Sequence, residues 1–532
     1  MLNFVYDARI VSAVKTIDGR RYNARRKQWE LPLSAAQATV EKLLPLGFKV
    51  QERVTDLIIY QKQEEKVIEE IRISPELYTG DLPLYDFQKI GATFLKRLDG
   101  VLLADVPGLG KTIQTIAALE GMTRVLVLCP ASLKYQWEEE IKKWDKAPTQ
   151  VIDGGPKARE KQWNKKNVTV FIANYELLLR DFDIINKFWD AIVCDEATRI
   201  SNPKAKTTKA LKQLTCKKRI ALTGTPISNT PMDLWSIVDW ISPGYLGSFW
   251  EFQQKYCIFN EHFGNGSWKK VSGYQNLELL AGKIAPLMLR RHKEEVFDDF
   301  PEKTTEKVVF ELSPRERKVY DAVRNLIIAE LHKLRVDGSS LNIIPVKLLR
   351  LKQITDDTRL ITNESIDSSK LAVLKDLLEP IIASGEKAIV FTQFAKMADI
   401  LYSELSELEV DRYVIQGSVS AVDRQDLVER FTYDNSPSIM IMTEAGAYGL
   451  NLQAASYVIH YDAAWSIAKM TQREDRAHRI GQKKNVTVYE LIAKKTVDEY
   501  VAKVLHKKAN VSKEILRDTS LEVGDIDAIL EL

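Results

Sequence analysis

Short apolar runs, bounded by polar or turn-forming residues, alternate with amphipathic stretches from about residue 84 to 240 and again from about 366 to 500. A short continuous apolar run between turn signals reads as a strand buried on both faces. The first block contains Gly100 to Ala104, Arg124 to Cys129, Val168 to Ala173, Ala191 to Cys194 and Arg219 to Leu222. The second contains Lys387 to Phe391, Ser438 to Met442 and Tyr457 to His460. Strands alternating with helical patterns predict a parallel sheet covered by helices, so two such blocks predict two α/β lobes. Between them, residues 245–365 have a mainly helical pattern, clearest from Pro314 to Val336, and are expected to be insertions and a linker. The first 75 residues stand apart, with a helix-like stretch from Ser34 to Leu44.

Composition narrows the class. A chain of 532 residues exceeds one hydrophobic core and predicts three or four domains. It has no apolar run of the roughly 20 residues a membrane helix needs, and its start does not read as a signal peptide. An intracellular protein without a membrane partner is expected: in cytoplasm or nucleoid if bacterial or viral, in the nucleus if eukaryotic. The four cysteines, Cys129, Cys194, Cys216 and Cys257, have no metal-ligand spacing, and Cys129 and Cys194 lie in apolar runs as small core residues do. A net charge of +3 says nothing for or against nucleic acid, so that evidence has to come from local clustering.

The chemistry is concentrated after the predicted strands. Asp105-Val106-Pro107-Gly108-Leu109-Gly110-Lys111-Thr112 lies between a strand and a helix. There, glycines let backbone N–H groups close on phosphate oxygens, Lys111 reaches the β and γ phosphates, and Thr112 ligates magnesium. Asp195 and Glu196 follow another strand; Asp195 fits a magnesium partner and Glu196 the base that orients and deprotonates water. Thr223-Gly224-Thr225-Pro226 suits either a hinge that senses this pair or an ordinary Gly-Pro loop. Arg476 and Arg479, three apart, would share a helix face, either as arginine fingers on the γ phosphate or as surface salt-bridge partners. A phosphate loop and a distant arginine pair predict two domains meeting over one ATP. Near the start, Arg20, Arg21, Arg25, Arg26 and Lys27 crowd around Tyr22 and Trp29, a pattern that fits a solvated face or a phosphate backbone flanked by stacking surfaces.

Taken in order over residues 81–510, these blocks resemble the SWI/SNF family of superfamily 2 helicase-like ATPases. Leu84 to Gln88 looks like its adenine-reading Q motif and Leu102 to Gln114 like motif I. Val127 to Leu133 with Trp137 resembles motif Ia, Ala173 to Glu176 the next block, Asp195 to Thr198 motif II, and Leu222 to Asn229 motif III. Leu289-Arg290-Arg291 looks like the family's basic step between lobes, Ile389 to Phe394 like motif IV, Thr443 to Leu452 like motif V, and Gln472 to Gln482 like motif VI. The departures are Val106-Pro107, where the family usually carries Glu-Met, and Thr198 in place of its histidine. Tyr22 to Leu33 is similar to the HARP module of annealing helicases.

The resemblance implies an α/β protein of two RecA-like lobes with helical insertions, preceded by a small α+β HARP-like domain. Its parts would be 1–75 (junction binding), 76–244 (lobe 1, ATP-binding), 245–365 (insertions and linker) and 366–532 (lobe 2 with a C-terminal brace helix). ATP and Mg2+ would be held by Gln88, Asp105, Gly108, Gly110, Lys111, Thr112, Asp195, Gly449 and Gln472. Catalysis would fall to Lys111, Asp195, Glu196, Arg476 and Arg479. DNA would be met by Arg21, Arg25, Arg26, Ser132, Lys134, Asn174, Arg290, Arg291 and Thr443. The implied activity is that of a monomeric, DNA-dependent ATPase translocating on double-stranded or forked DNA to remodel or anneal it, alongside a replication, repair or transcription protein. The competing expectations are an ATPase that displaces or recycles a DNA-bound protein such as RNA polymerase, and a weakly catalytic DNA-binding module.

Overall fold

The structure, a computed structural model, describes residue 2 and residues 6–502 apart from 18–19, 25, 32–34, 228–229, 261–269, 298, 337–343, 363–365, 435 and 445–449. The expected brace helix falls in 503–532, outside the described residues. Among the described residues two compact units are present, the first built from the chain up to Val106 and from Gly110–His292, the second from Pro107–Leu109 and from Lys293 onward. Among the described residues no helix is long and apolar enough to cross a membrane.

The first unit opens with a hairpin of β1 (Arg21–Asn23) and β2 (Gln28–Glu30), in which Tyr22 pairs directly with Trp29 and their ring centroids lie 5.1 Å apart. Its main sheet uses β3 (Gly100–Leu103), β4 (Val125–Cys129), β5 (Thr149–Val151), β6 (Val170–Asn174), β7 (Trp189–Asp195) and β8 (Cys216–Leu222). A separate hairpin, β9 (Cys257–Asn260) and β10 (Lys270–Tyr274), follows, and β11 (Met288–Leu289) returns to the sheet. The order is β11-β3-β8-β7-β4-β6-β5, parallel throughout. Every residue of β4 is buried, which explains its unbroken apolar sequence.

The second unit contains β12 (Lys303–Phe310), β13 (Ala388–Thr392), β14 (Asp411–Ile415), β15 (Ser438–Thr443), β16 (Tyr457–His460) and β17 (Val486–Ala493). They form a parallel sheet ordered β12-β17-β16-β13-β15-β14. Alternate residues serve different cores, since successive strand side chains point to opposite faces. Ala388, Val390, Ile439, Ile441 and Ile459 pack in one cluster, and Ile389, Phe391, Met440, Met442 and Val458 in another.

Two boundaries differ from the sequence expectation. Residues 245–365 are less uniformly helical than expected: besides the helices, including Pro314–Val336, they supply an edge strand to each sheet, β11 to the first and β12 to the second. β12 was not legible because an edge strand needs no apolar run, and its first five residues are exposed. The helix Glu52–Ile71 belongs to the first lobe rather than to a separate amino-terminal module. Its Ile68 and Ile71 pack with Phe94, Leu95 and Val101, and Arg72 donates to the carbonyls of Ala285 and Met288.

Candidate active site

A parallel sheet brings the carboxyl ends of its strands to one edge, where open α/β folds bind ligands. Here that edge collects the glycine loop after β3, Ser132 and Lys134 after β4, Asn174 at the end of β6, Asp195 and Glu196 at the end of β7 and Thr223 to Thr225 after β8. The helix Lys111–Ala118 begins at Gly110, whose φ of +74° is costly for any residue with a side chain. A Cβ there would also stand 2.6 Å from Nε2 of the buried Gln88. Lys111 Nζ donates to the carbonyls of Asp105, at 2.8 Å, and Val106, at 3.4 Å, spanning the loop.

Asp195 is fixed by Trp137, whose Nε1 donates to Oδ2 at 2.8 Å, and its Oδ1 accepts the Glu196 N–H at 2.9 Å. Tyr175 anchors the same turn by donating its hydroxyl to the Asp195 carbonyl at 2.7 Å. Burial pushes the Asp195 carboxyl up, while the Trp137 hydrogen bond and the Lys111 charge pull it down. Glu196 takes a left-handed conformation, φ 52°. A non-glycine residue kept there costs on the order of 1 kcal/mol and marks a position worth testing for function.

The Asp105 carboxylate is fully buried and belongs to a polar cluster beneath the loop. Arg291 grips it with two bonds, Nε to Oδ1 at 3.0 Å and Nη2 to Oδ2 at 2.5 Å. Gln114 donates to Asp105 Oδ2 at 3.2 Å and accepts from Arg291 Nη2 at 2.9 Å. Arg291 also donates to the Phe87 carbonyl. Gly91, inside the helix Asp86–Arg97, makes room for this cluster: a Cβ there would sit 1.7 Å from Gln114 Oε1. Arg290 bridges the carbonyls of Ala104 and Gly224, tying the loop after β3 to the loop after β8.

Other expected DNA contacts have mixed surroundings. Ser132 and Arg26 are exposed. Lys134 is buried, with Nζ donating to the Ile152 carbonyl at 2.9 Å and facing Asp153 at 3.3 Å. Asn174 donates to Glu176 at 2.6 Å, and Thr443 is buried at the end of β15. Arg25 and Gly449 lie outside the described residues, Arg21 is described only in its backbone, and Thr112 and Gln472 are half-buried.

In the second unit the arginine pair does not share a helix. The helix Ile467–Glu474 ends before Arg476, and both arginines lie in the turns that follow. Those turns are held from several sides. Lys293 Nζ contacts Asp475 Oδ1 at 2.5 Å and the His478 carbonyl, and Lys303 meets Glu474 at 2.6 Å. His478 Nε2 lies 2.7 Å from the Pro301 carbonyl, and Gln482 donates to the carbonyls of Gln453, Ala455 and Ala477. Burial pushes the His478 imidazole down. Burial works to raise Glu474, yet the His460 hydrogen bond and the Lys303 charge outweigh it and bring it to about 2.

Two domain families cover most of the chain. The SNF2-related domain matches residues 51–360, more than half of it. The chain belongs to the SNF2-related family. The helicase conserved C-terminal domain matches residues 369–481. Among curated relatives, an uncharacterized ATP-dependent helicase of Mycoplasma pneumoniae is 32% identical over 82% of this chain and 42% of its own length. The putative ATP-dependent helicase/translocase YwqA of Bacillus subtilis is 32% identical over 87% of this chain and 52% of its own. The TATA-binding protein-associated factor mot1 of Aspergillus fumigatus is 30% identical over 89% and 29%. The chain thus spans about half or less of these relatives. A solved Sulfolobus solfataricus SWI2/SNF2 ATPase core in complex with dsDNA is 32% identical, with 86% of this chain and 97% of that one covered and a TM-score of 0.39. The SNF2-related match begins at residue 51, just before the Glu52–Ile71 helix that packs into the first lobe.

Proposed function

We propose that this SNF2-related chain is a DNA-dependent ATPase that translocates on double-stranded DNA and remodels forked or branched duplexes. The observation that carries the reading is the meeting, at one sheet edge, of Lys111 in its glycine loop with the half-buried Asp195 beside Glu196. In this reading ATP is the substrate, with its phosphates at the N–H groups of Gly108 to Thr112 in place of the carbonyls that Lys111 now spans. Thr112 and Asp195 would hold Mg2+, and bound magnesium would screen phosphate charge. That donor set fits: a hydroxyl and a carboxylate are hard oxygen ligands, and Trp137 fixes the carboxylate in place. Glu196 orients and deprotonates the attacking water. Arg476 and Arg479, assigned from their sequence block, supply charge that stabilises the transferred phosphoryl group.

DNA contact falls to exposed residues such as Arg26 and Ser132. Lys134, Arg290 and Arg291, which have internal partners, position the loops. A second reading, action on a protein seated on DNA, is favoured by the similarity to a TATA-binding protein-associated factor.

The test is steady-state ATP hydrolysis by wild type and Lys111→Ala with no nucleic acid, single-stranded DNA, blunt duplex and a fork, at fixed low salt because phosphate contacts weaken steeply with ions. Stimulation by duplex or fork that vanishes in the variant is expected. Equal turnover with and without DNA would defeat the motor reading, and displacement of a protein roadblock without fork preference would favour the second reading.

A further inference from the structure

Away from the sheet edge, the first unit has a pocket of about 330 Å3 between Arg20, which leads into β1, and the helix Phe249–Tyr256. Its volume lies at the lower end of those that hold small ligands, about 300–1,000 Å3. The aromatic residues of this helix divide into two kinds. Phe249 packs edge-on against Trp235 with centroids 5.0 Å apart, and Phe252 packs against the buried Tyr256 at 4.8 Å. Trp250, which lines the pocket, is 67% exposed. An indole face left to solvent is available for stacking against a planar partner.

Charge identifies the chemistry of that partner. Arg20, Lys255 and Lys283 all line the pocket, together with one acid, Glu251. The Glu251 carboxylate is engaged by the helix cap: its Oε2 accepts from Ser248 N at 2.9 Å and from Ser248 Oγ at 2.8 Å. The pocket therefore carries three cations to one acid, with Arg20 also donating to the Ile17 carbonyl and Lys255 and Lys283 lying over the rings of Tyr256 and Tyr245. A flat exposed indole beside several cations matches a base and its phosphates, because stacking accepts any base and the cations track the backbone. A peptide partner would match the indole but would need its own acids to answer the cations.

We propose that this pocket takes one unpaired nucleotide, its base against Trp250 and its flanking phosphates among Arg20, Lys255 and Lys283. It rests on the DNA reading above and adds to it a physical basis for preferring branched over blunt DNA, through residues distinct from those of the nucleotide loop.

The test compares wild type, Trp250→Ala, Trp250→Phe and Lys283→Ala by fluorescence anisotropy with labelled oligo(dT), a blunt duplex and a fork with single-stranded arms. Trp250→Ala should weaken oligo(dT) and fork binding about 5- to 150-fold, the range of one lost stacking contact, and leave blunt duplex unchanged. Trp250→Phe should recover most of the loss. Lys283→Ala should reduce the salt slope for oligo(dT) by about 0.7, as expected for one phosphate contact to a single strand. Duplex-stimulated ATP turnover should stay at the wild-type value in all three variants, which separates this proposal from the parent reading. Oligo(dT) and fork affinities within twofold of wild type in Trp250→Ala, or an equal loss on blunt duplex, would overturn the assignment.

Discussion

Arg291→Ala tests whether the basic step between lobes has a structural role inside the first unit. Arg291 is 11% exposed and makes two bonds to a carboxylate that is 0% exposed. Removing it leaves Asp105 with the Gln114 amide as its remaining side-chain donor in this cluster, so a buried negative charge loses its counter-ion. Breaking such a pair from one side costs about 3–5 kcal/mol, whereas a surface pair costs under about 1. Asp105→Asn removes the charge that needs a partner, and Arg291 sits closer to solvent, so its cost should be smaller. Unfolding in urea, followed by circular dichroism, would give all three stabilities and a coupling energy from the double variant. The expected order is wild type, then Asp105→Asn, then Arg291→Ala, with a coupling of at least about 2 kcal/mol. A cost near zero for Arg291→Ala, together with a large loss of DNA affinity, would refute the structural role and return Arg291 to the DNA surface.

Three further outcomes are expected. Gly91→Ala should destabilise the first unit in the same urea experiment although alanine favours helices by about 1 kcal/mol, because the new methyl would collide with Gln114; a stabilised variant would show that the cluster yields. Lys293→Ala should lower kcat for DNA-stimulated ATP turnover at least about tenfold with little change in KM, since it loosens the turns bearing Arg476 and Arg479; an unchanged kcat in a folded variant would remove Lys293 as a positioning residue. The folded pKa of Glu474, about 2, lies below its ordinary 4.5, so its contribution is complete above about pH 4.5 and is lost as pH falls toward 2. Glu474→Gln should remove on the order of 3 kcal/mol of that pH dependence, and identical acid-unfolding curves for the two proteins would contradict it.

The sequence disclosed what needed continuous burial. β4, β13 and β15 are covered on both faces and appear as apolar runs, matched by the structure to within a residue or two. β5 and β14 lie at sheet edges and are partly exposed, so their mixed residues gave no such signal. The placement of the glycine loop and the acidic pair at strand ends was legible because each is a short local pattern after an apolar run. The pairing of Asp105 with Arg291 spans 186 positions and has no local trace. Gly91 could have raised the question, as a glycine inside a helical pattern usually marks a close approach. The arginine pair misled on geometry because spacing by three implies a shared face only while the helix lasts, and this one stops at Glu474.

The pairing of β12 with β17 also bears on how the chain is made. Lys303 aligns with Val486 and Phe310 with Ala493, so the first strand of the second lobe to be synthesised finds its neighbour 183 residues later. At about 5–20 residues per second the ribosome needs roughly 10–40 s to supply that neighbour. For that interval an eight-residue strand would wait with its hydrogen-bonding groups unmatched, a template for pairing with another nascent chain. Its composition answers the hazard: Lys303, Glu306 and Lys307 stand among threonines along its first five positions. Charges on a waiting edge discourage the wrong strand until the right one emerges. The polar character that kept β12 from being recognised as a strand in the sequence can thus protect it during translation.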